Sequence, residues 1–130
     1  MRIGCGRCYG RSPKRAWAYY TDGLKIEQLL EDDSHFSVQL RRCVECSQRF
    51  VWIFTEFVDW EGGDDAQYRD IVPVTASEAE KIARQGQDLD FRFLEALGTN
   101  RRYLRTNWPT GERKEAVGWA TGELLIVRGG

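Results

Sequence analysis

The chain has 130 residues, of which 42% are hydrophobic and 30% are charged, and its formal net charge at neutral pH is −1. These values are ordinary for one soluble globular domain spanning residues 1–130. No apolar run is long enough to cross a bilayer, and residues 1–5 lack the apolar segment of a secretory signal, which excludes a membrane-spanning protein and predicts a cytoplasmic one.

Four cysteines form two Cys-x-x-Cys pairs with none left over: Cys5, Cys8, Cys43 and Cys46. A spacing of two residues lets a tight turn aim both sulfur atoms at one ion, and two such turns supply a tetrahedral four-thiolate shell. In a reducing compartment, paired cysteines are more often metal ligands than disulfides. We therefore expect one Zn²⁺ per chain. The alternatives are iron in a four-cysteine site, an iron–sulfur cluster and a redox-active Cys-x-x-Cys pair.

The segment between the two cysteine pairs is predicted to be β-structure. Residues 15–20 and 24–30 are rich in aromatic and aliphatic side chains, and Thr21-Asp22-Gly23 separates them. Asp-Gly is a strong hairpin signal, so these residues predict a β-hairpin. In residues 35–42 apolar and polar side chains alternate, which indicates a half-buried strand.

Residues 49–60 predict a central strand, because apolar side chains such as Trp52 and Ile53 fall on both of its faces. The short loop 42–48 makes it an antiparallel hairpin with the preceding strand and places Cys43 and Cys46 at the tip. Residues 71–74 predict a further strand, and Pro73 predicts an edge position because proline cannot donate a ladder hydrogen bond. We expect a sheet of about four or five strands.

Helix signals begin at Thr75, which forms a Thr-x-x-Glu capping box with Glu78, and the first helix is expected to end at Gly86. A second helix is predicted from about Asp88 or Asp90 to Gly98. Its buried residues would be Phe91, Leu94 and Leu97. After a loop at residues 107–111, residues 116–120 and 123–127 predict a closing hairpin.

Residues 1–60 resemble zinc ribbons, because they contain two Cys-x-x-Cys turns and the second turn joins two strand-like segments. Two features depart from that family. Glycine often follows the second cysteine of a zinc-ribbon turn, whereas Tyr9 and Ser47 stand there, and 34 residues separate Cys8 from Cys43 instead of about 15–20. The predicted fold class is α+β: an antiparallel sheet with zinc-ribbon-like knuckles in the N-terminal part, two helices within residues 75–98, and a loop with a hairpin in residues 99–130.

Four thiolates close the metal shell and leave no position for water, so the zinc is expected to be structural. Catalysis is disfavoured, because His35 is the only histidine and the chain has no Gly-x-Ser-x-Gly, phosphate-loop or dinucleotide motif. The remaining acid–base candidate is His35 with its neighbours Asp32, Asp33 and Ser34.

Charge clusters suggest two kinds of partner. Glu61, Asp64 and Asp65 form an acidic turn, through which we expect binding to another protein with a basic surface. The alternative is a nucleic acid, favoured by a basic N-terminal cluster and the aromatic residues after it: Arg2, Arg7, Arg11, Lys14, Arg15, Trp17, Tyr19 and Tyr20. A sequence pI of about 5.9 disfavours the nucleic acid.

Overall fold

The computed structural model describes residues 3–33, 35–57, 66–108 and 116–124. In these ranges the chain forms three α-helices, one short 3-10 helix at Gly98–Asn100 and six strands, and the fold class is α+β as predicted. The elements in chain order are α1 (Pro13–Gly23), β1 (Leu24–Asp33), β2 (Phe36–Cys43), β3 (Arg49–Phe57), β4 (Ala66–Val74), α2 (Ala76–Gln85), α3 (Phe91–Leu97), β5 (Tyr103–Trp108) and β6 (Ala116–Ala120). None of these helices is long and apolar enough to cross a membrane.

The six described strands form one antiparallel sheet, in which the strand order follows the chain order from β1 to β6. The predicted count of four or five strands was therefore too low. The strand that was not predicted is β5, whose last two residues fall in the loop predicted at residues 107–111. The strand predicted at residues 71–74 is also longer than expected, because the first half of β4 carries the polar run Gln67-Tyr68-Arg69-Asp70 and lacks a clean apolar alternation.

Strand β3 is central, as predicted, and its alternating side chains divide the hydrophobic core into two parts. Val51 and Ile53 pack with residues of α2 and α3 on one face of the sheet. Phe50 and Trp52 pack with residues of α1 and with three of the cysteines on the other face. The sheet is therefore covered by helices on both sides, and the cysteines belong to the α1 side.

Helix α1 replaces the hairpin predicted for residues 15–30. Ser12 caps the helix by accepting a hydrogen bond from the N–H of Arg15, and Pro13 stands at its start, where a missing N–H costs nothing. Ala16, Tyr20 and Gly23 are buried at a helical spacing. The prediction of two helices therefore missed a third, although its Ser-Pro start is visible in the sequence.

Pro73 does not lie on an edge strand, because β4 pairs with both β3 and β5. The pairing with β5 runs only from Gln67 to Ile71 and has ended before the proline. On that side the carbonyl of Pro73 accepts a hydrogen bond of 3.0 Å from Nη1 of Arg101. Proline is tolerated here because no neighbouring strand needs its missing N–H.

The strand predicted at residues 116–120 is present as β6, but it pairs with β5. Residues 123 and 124 are not in a strand, and residues 125–127 lie outside the described residues. The pairing of β6 with β5 was not predicted, and the second strand of the predicted closing hairpin lies mostly outside the described residues, so that hairpin stays a prediction.

The two helices of the second half begin and end close to the predicted residues. Thr75 and Glu78 form both bonds of the capping box of α2, and Gly86 is its C-cap. Asp90 caps α3 through the N–H groups of Arg92 and Phe93. Glu78 has a further role that the sequence did not reveal, since its carboxylate accepts two hydrogen bonds from Arg101, at 2.6 and 2.8 Å.

We expect the substitution Glu78→Gln to lower the free energy of unfolding by about 1.5–3 kcal/mol, because it removes the charge from a half-buried charge-assisted pair with Arg101, while the glutamine oxygen can still accept the N–H of Thr75 in the capping box. Hydrogen bonds from Arg101 lower the pKa of Glu78 below its ordinary value. The stabilisation is therefore present above the ordinary glutamate pKa and is lost as pH falls through the folded value. Urea unfolding across acidic and neutral pH should show the two proteins converging in acid.

The control is Glu80→Gln, which removes an exposed ion pair with Arg84 on the same helix. This change should cost no more than about 0.5 kcal/mol. Equal losses for the two variants, or a Glu78→Gln loss that persists unchanged in acid, would contradict the assignment.

Candidate metal centre

The two cysteine pairs meet at one end of the sheet. Cys5 and Cys8 lie in the segment that precedes α1, while Cys43 is the last residue of β2 and Cys46 lies in the turn to β3. The prediction that the second pair occupies the tip of a hairpin is correct. Gly4 also donates a backbone hydrogen bond to the side chain of Gln48, which holds the first segment against this turn.

Both cysteine turns are closed by the same backbone hydrogen bond. The N–H of Tyr9 donates to the carbonyl of Cys5, and the N–H of Ser47 donates to the carbonyl of Cys43, each at 2.9 Å. Ser47 has a φ of 64°, the left-handed conformation that glycine adopts at no steric cost. The second turn therefore keeps the backbone shape that a glycine would give, with a small conformational cost at Ser47.

The four sulfur atoms lie close to the geometry of a tetrahedron. The Sγ atoms of Cys5 and Cys8 are 3.7 Å apart, those of Cys8 and Cys46 are 3.7 Å apart, and those of Cys5 and Cys43 are 4.0 Å apart. All four lie within 4.8 Å of one another. A Zn–S bond of about 2.3 Å gives tetrahedral edges of about 3.8 Å. These separations exceed the disulfide bond length of about 2.05 Å, so the thiols are free.

Burial makes these thiols dependent on a nearby positive charge. Cys8 and Cys43 are fully buried, Cys5 is half-buried and Cys46 is exposed. Burial raises the pKa of the Cys8 thiol, whereas burial of Cys5 is outweighed by hydrogen bonds from the backbone N–H groups of Cys8 and Arg7, which lower its pKa to about 7. Four thiolates this close repel one another, and a metal cation at their centre removes the repulsion.

Helix α1 contacts both cysteine turns. The hydroxyl of Tyr19 lies 3.1 Å from Sγ of Cys43, and the hydroxyl of Tyr20 donates to the carbonyl of Cys8 at 2.7 Å. The carbonyl of Gly23 accepts from the N–H of Val44 in the second turn. A thiolate can only accept, so Tyr19 is the donor when Cys43 is ionised. Sequence reasoning missed this contact because it placed Tyr19 in a strand.

Glycine is needed at position 23 because the ring of Tyr19 packs directly against its backbone, and not because a hairpin turns there. A Cβ atom at this position would lie 2.2–2.5 Å from three atoms of the Tyr19 ring. Such distances are far below van der Waals contact, so any side chain here would push the ring away from Cys43. The Asp-Gly pair therefore marks the end of α1 beside the cysteine cluster.

Arg102 attaches the segment before α1 to the edge of the sheet formed by β5 and β6, on the same face as α1. The Cζ atom of Arg102 lies 4.1 Å from the centre of the Tyr9 ring and 3.9 Å from that of Trp119. Tyr9 donates its hydroxyl to the carbonyl of Arg102, and Arg102 donates back to the carbonyl of Tyr9. Trp119 also donates its ring N–H to the carbonyl of Arg11. This segment is thus held at the cysteines and again at strands β5 and β6.

The acid–base candidate His35 lies at the other end of β3 from the cysteines. Its Nδ1 is 2.9 Å from a carboxylate oxygen of Glu56, and that carboxylate also accepts from Gln67 at 2.8 Å. The hydrogen bond with His35 lowers the pKa of Glu56. Asp33 accepts the backbone N–H of His35, so its carboxylate shapes the turn. The structure does not bring His35 to the metal centre.

The structure describes only part of the two surfaces that were predicted to bind partners. The acidic turn Glu61, Asp64 and Asp65 lies outside the described residues, as do Ser34 and Arg2. In the basic N-terminal cluster, Arg7 pairs with Glu45 across the two cysteine turns at 3.4 Å, and both side chains are exposed. Tyr20 is buried and the hydroxyl of Tyr19 contacts Cys43. Binding of a nucleic acid by the N-terminal cluster stays a prediction.

Comparisons with protein-family models, with curated proteins and with solved structures gave no match. The resemblance of residues 1–60 to zinc ribbons therefore stays a prediction.

We expect Tyr19→Phe to weaken metal binding about tenfold or more, because it removes the hydroxyl hydrogen bond to a ligand sulfur and leaves the ring in place. Competition with a chromophoric chelator at neutral pH measures this affinity. Tyr9→Phe is the matched control, since it loses a hydroxyl bond to a carbonyl rather than to sulfur. Equal affinities for wild type and Tyr19→Phe would show that Tyr19 does not act on the metal.

Proposed function

We propose that Cys5, Cys8, Cys43 and Cys46 hold one structural Zn²⁺ and that the chain is a zinc-stabilised binding module. The observation that carries the proposal is the set of sulfur separations, which match the edges of a single-ion tetrahedron. The backbone supports it as well, because the same hydrogen bond closes the turn around each cysteine pair.

A structural role follows from the ligand set. Catalytic zinc has three protein ligands and an open position for water, whereas here the protein supplies all four ligands. The thiolates also donate charge to the ion and make it a weak Lewis acid. The best acid–base pair among the described residues, His35 with Glu56, lies at the opposite end of β3. The geometry thus favours stabilisation over catalysis.

Removal of the metal should loosen the α1 side of the sheet. The four ligands join residues 38 positions apart in sequence, and structural zinc contributes roughly 10–16 kcal/mol of apparent binding energy in small peptides. We expect a strong chelator to lower the melting temperature, and added Zn²⁺ to restore it. Tryptophan fluorescence should follow the same cycle, because Trp17 and Trp52 pack beside the site.

A matched pair of variants sharpens this test. Cys43→Ser should melt at the temperature of the chelated wild type, whereas Ser47→Ala, in the same turn, should keep both its zinc and its response to chelation. A melting temperature that does not change with chelation would contradict a structural metal.

Iron is the main rival for this ligand set, since four thiolates also hold iron in rubredoxin-like sites. Iron bound by thiolates absorbs visible light and changes oxidation state, whereas Zn²⁺ has a filled d shell and does neither. A colourless protein that is unaffected by dithionite is expected.

The module is expected to bind another protein through the acidic segment that contains Glu61, Asp64 and Asp65. A carboxylate-rich turn attracts a basic surface by long-range electrostatics. The double substitution Asp64→Asn and Asp65→Asn should weaken this association and leave the zinc content unchanged. Association that persists in the double variant would rule out the acidic segment as the binding surface.

A further inference from the structure

Two arginines lie on aromatic rings on the α1 side of the sheet. The Cζ atom of Arg41 is 3.7 Å from the centre of the Trp52 ring, and that of Arg69 is 4.7 Å from the centre of Phe54 and 5.7 Å from that of Trp17. The rings of Trp17 and Trp52 are themselves 5.7 Å apart. These five residues form one connected group, which we call the arginine–aromatic patch.

The strand register explains why these side chains share one face. Arg69 lies directly opposite Phe54 in the pairing of β3 with β4, and Arg41 lies opposite Phe50 in the pairing of β2 with β3. Side chains alternate between faces along a strand, so Phe50, Trp52 and Phe54 point to the same side. Helix α1 reaches this side through Trp17. Trp52 is buried, and the other four residues of the patch are half-buried.

The charge of Arg41 is not balanced by a carboxylate. Among the residues that the structure describes, Arg41 forms no ion pair, and its Nε–H donates to the neutral side chain of Gln39 at 2.8 Å. Burial and the positive charge of Arg69 lower the pKa of Arg41 to about 10. The charge of Arg41 is therefore partly desolvated and has no carboxylate partner among the described residues, an arrangement that an anion would stabilise.

The guanidinium groups and aromatic rings of the patch favour a phosphate that is attached to a nucleobase. A guanidinium group offers a planar fork of N–H donors that matches the oxygens of a phosphate, and a flat guanidinium or ring also stacks on a nucleobase. Lys14 is exposed one helical turn before Trp17, on the same side of α1, and adds a third cation. Glu56 follows Phe54 by two residues on the same face of β3, and its carboxylate accepts hydrogen bonds from Gln67 and pairs with His35 rather than with an arginine of the patch.

We propose that the arginine–aromatic patch binds single-stranded nucleic acid, with Arg41 and Arg69 on the phosphates and the exposed planes of the patch stacking on bases. Of the basic and aromatic residues named in the N-terminal region, this patch contains only Trp17, and Lys14 lies beside it. It rests on the proposed function in one respect, because α1, which carries Trp17, is fixed to the cysteine turns.

The test uses the full chain, with its metal content measured in every sample, and a fluorescein-labelled oligothymidylate of about 12 nucleotides. Fluorescence anisotropy should show binding that weakens steeply with added salt. Arg41→Gln should lower the affinity about tenfold or more, which corresponds to the loss of one charge-assisted contact. Arg84→Gln is the matched control, since it makes the same charge change on α2, on the opposite face of the sheet, and should change the affinity less than about twofold.

Three results would overturn the proposal: no binding by the wild-type protein, equal weakening by Arg41→Gln and Arg84→Gln, or displacement of the oligonucleotide by polyglutamate at equal charge concentration. The last result would assign the patch to an acidic protein segment. If Arg41→Gln fails to fold, Arg69→Gln is measured against the same control and decides the question. Metal content reports separately on the zinc proposal, so a zinc-loaded protein that binds no oligonucleotide contradicts only the patch.

Discussion

The meeting of four sulfur atoms at one end of the sheet is the constraint on which the α1 side of the molecule depends. Residues 3–12 contain no helix or strand of their own and are held by the cysteines at one end and by Arg102 at the other. Helix α1 is fixed to the same place by Tyr19, Tyr20 and Gly23. Thirty-four residues separate the two cysteine pairs, but loop closure costs only about 0.6 kcal/mol more for each doubling of length. One metal ion can therefore hold a long connection together.

Local sequence signals predicted the parts of the fold that local interactions decide. The alternation in residues 35–42 and the two apolar faces of β3 gave the hairpin, and Cys43 and Cys46 at its tip then followed from the loop length. The capping box at Thr75 and Glu78 gave the start of α2, because both of its hydrogen bonds are made within one turn. The four candidate metal ligands could be identified from the Cys-x-x-Cys spacing alone.

The missed parts depend on partners distant in sequence. The aromatic residues of α1 suit a strand as well as a helix, and the helix is favoured by the Ser12 cap together with contacts to Cys8, Cys43 and Phe50 that no local pattern contains. Pro73 indicated an edge strand, yet it lies where the pairing of β4 with β5 has already ended. The arginine–aromatic patch was hidden for the same reason, since Arg41 and Arg69 come from different strands and only the register of the sheet brings them to the same face as Trp52 and Phe54.

The central claim, that the four cysteines hold one zinc ion, is tested most directly by X-ray absorption at the zinc edge on the protein purified without added metal. The account predicts one zinc per chain with four sulfur neighbours at about 2.3 Å and no nitrogen or oxygen neighbour. Fewer than four sulfur neighbours, or a protein that contains iron or no metal, would contradict it.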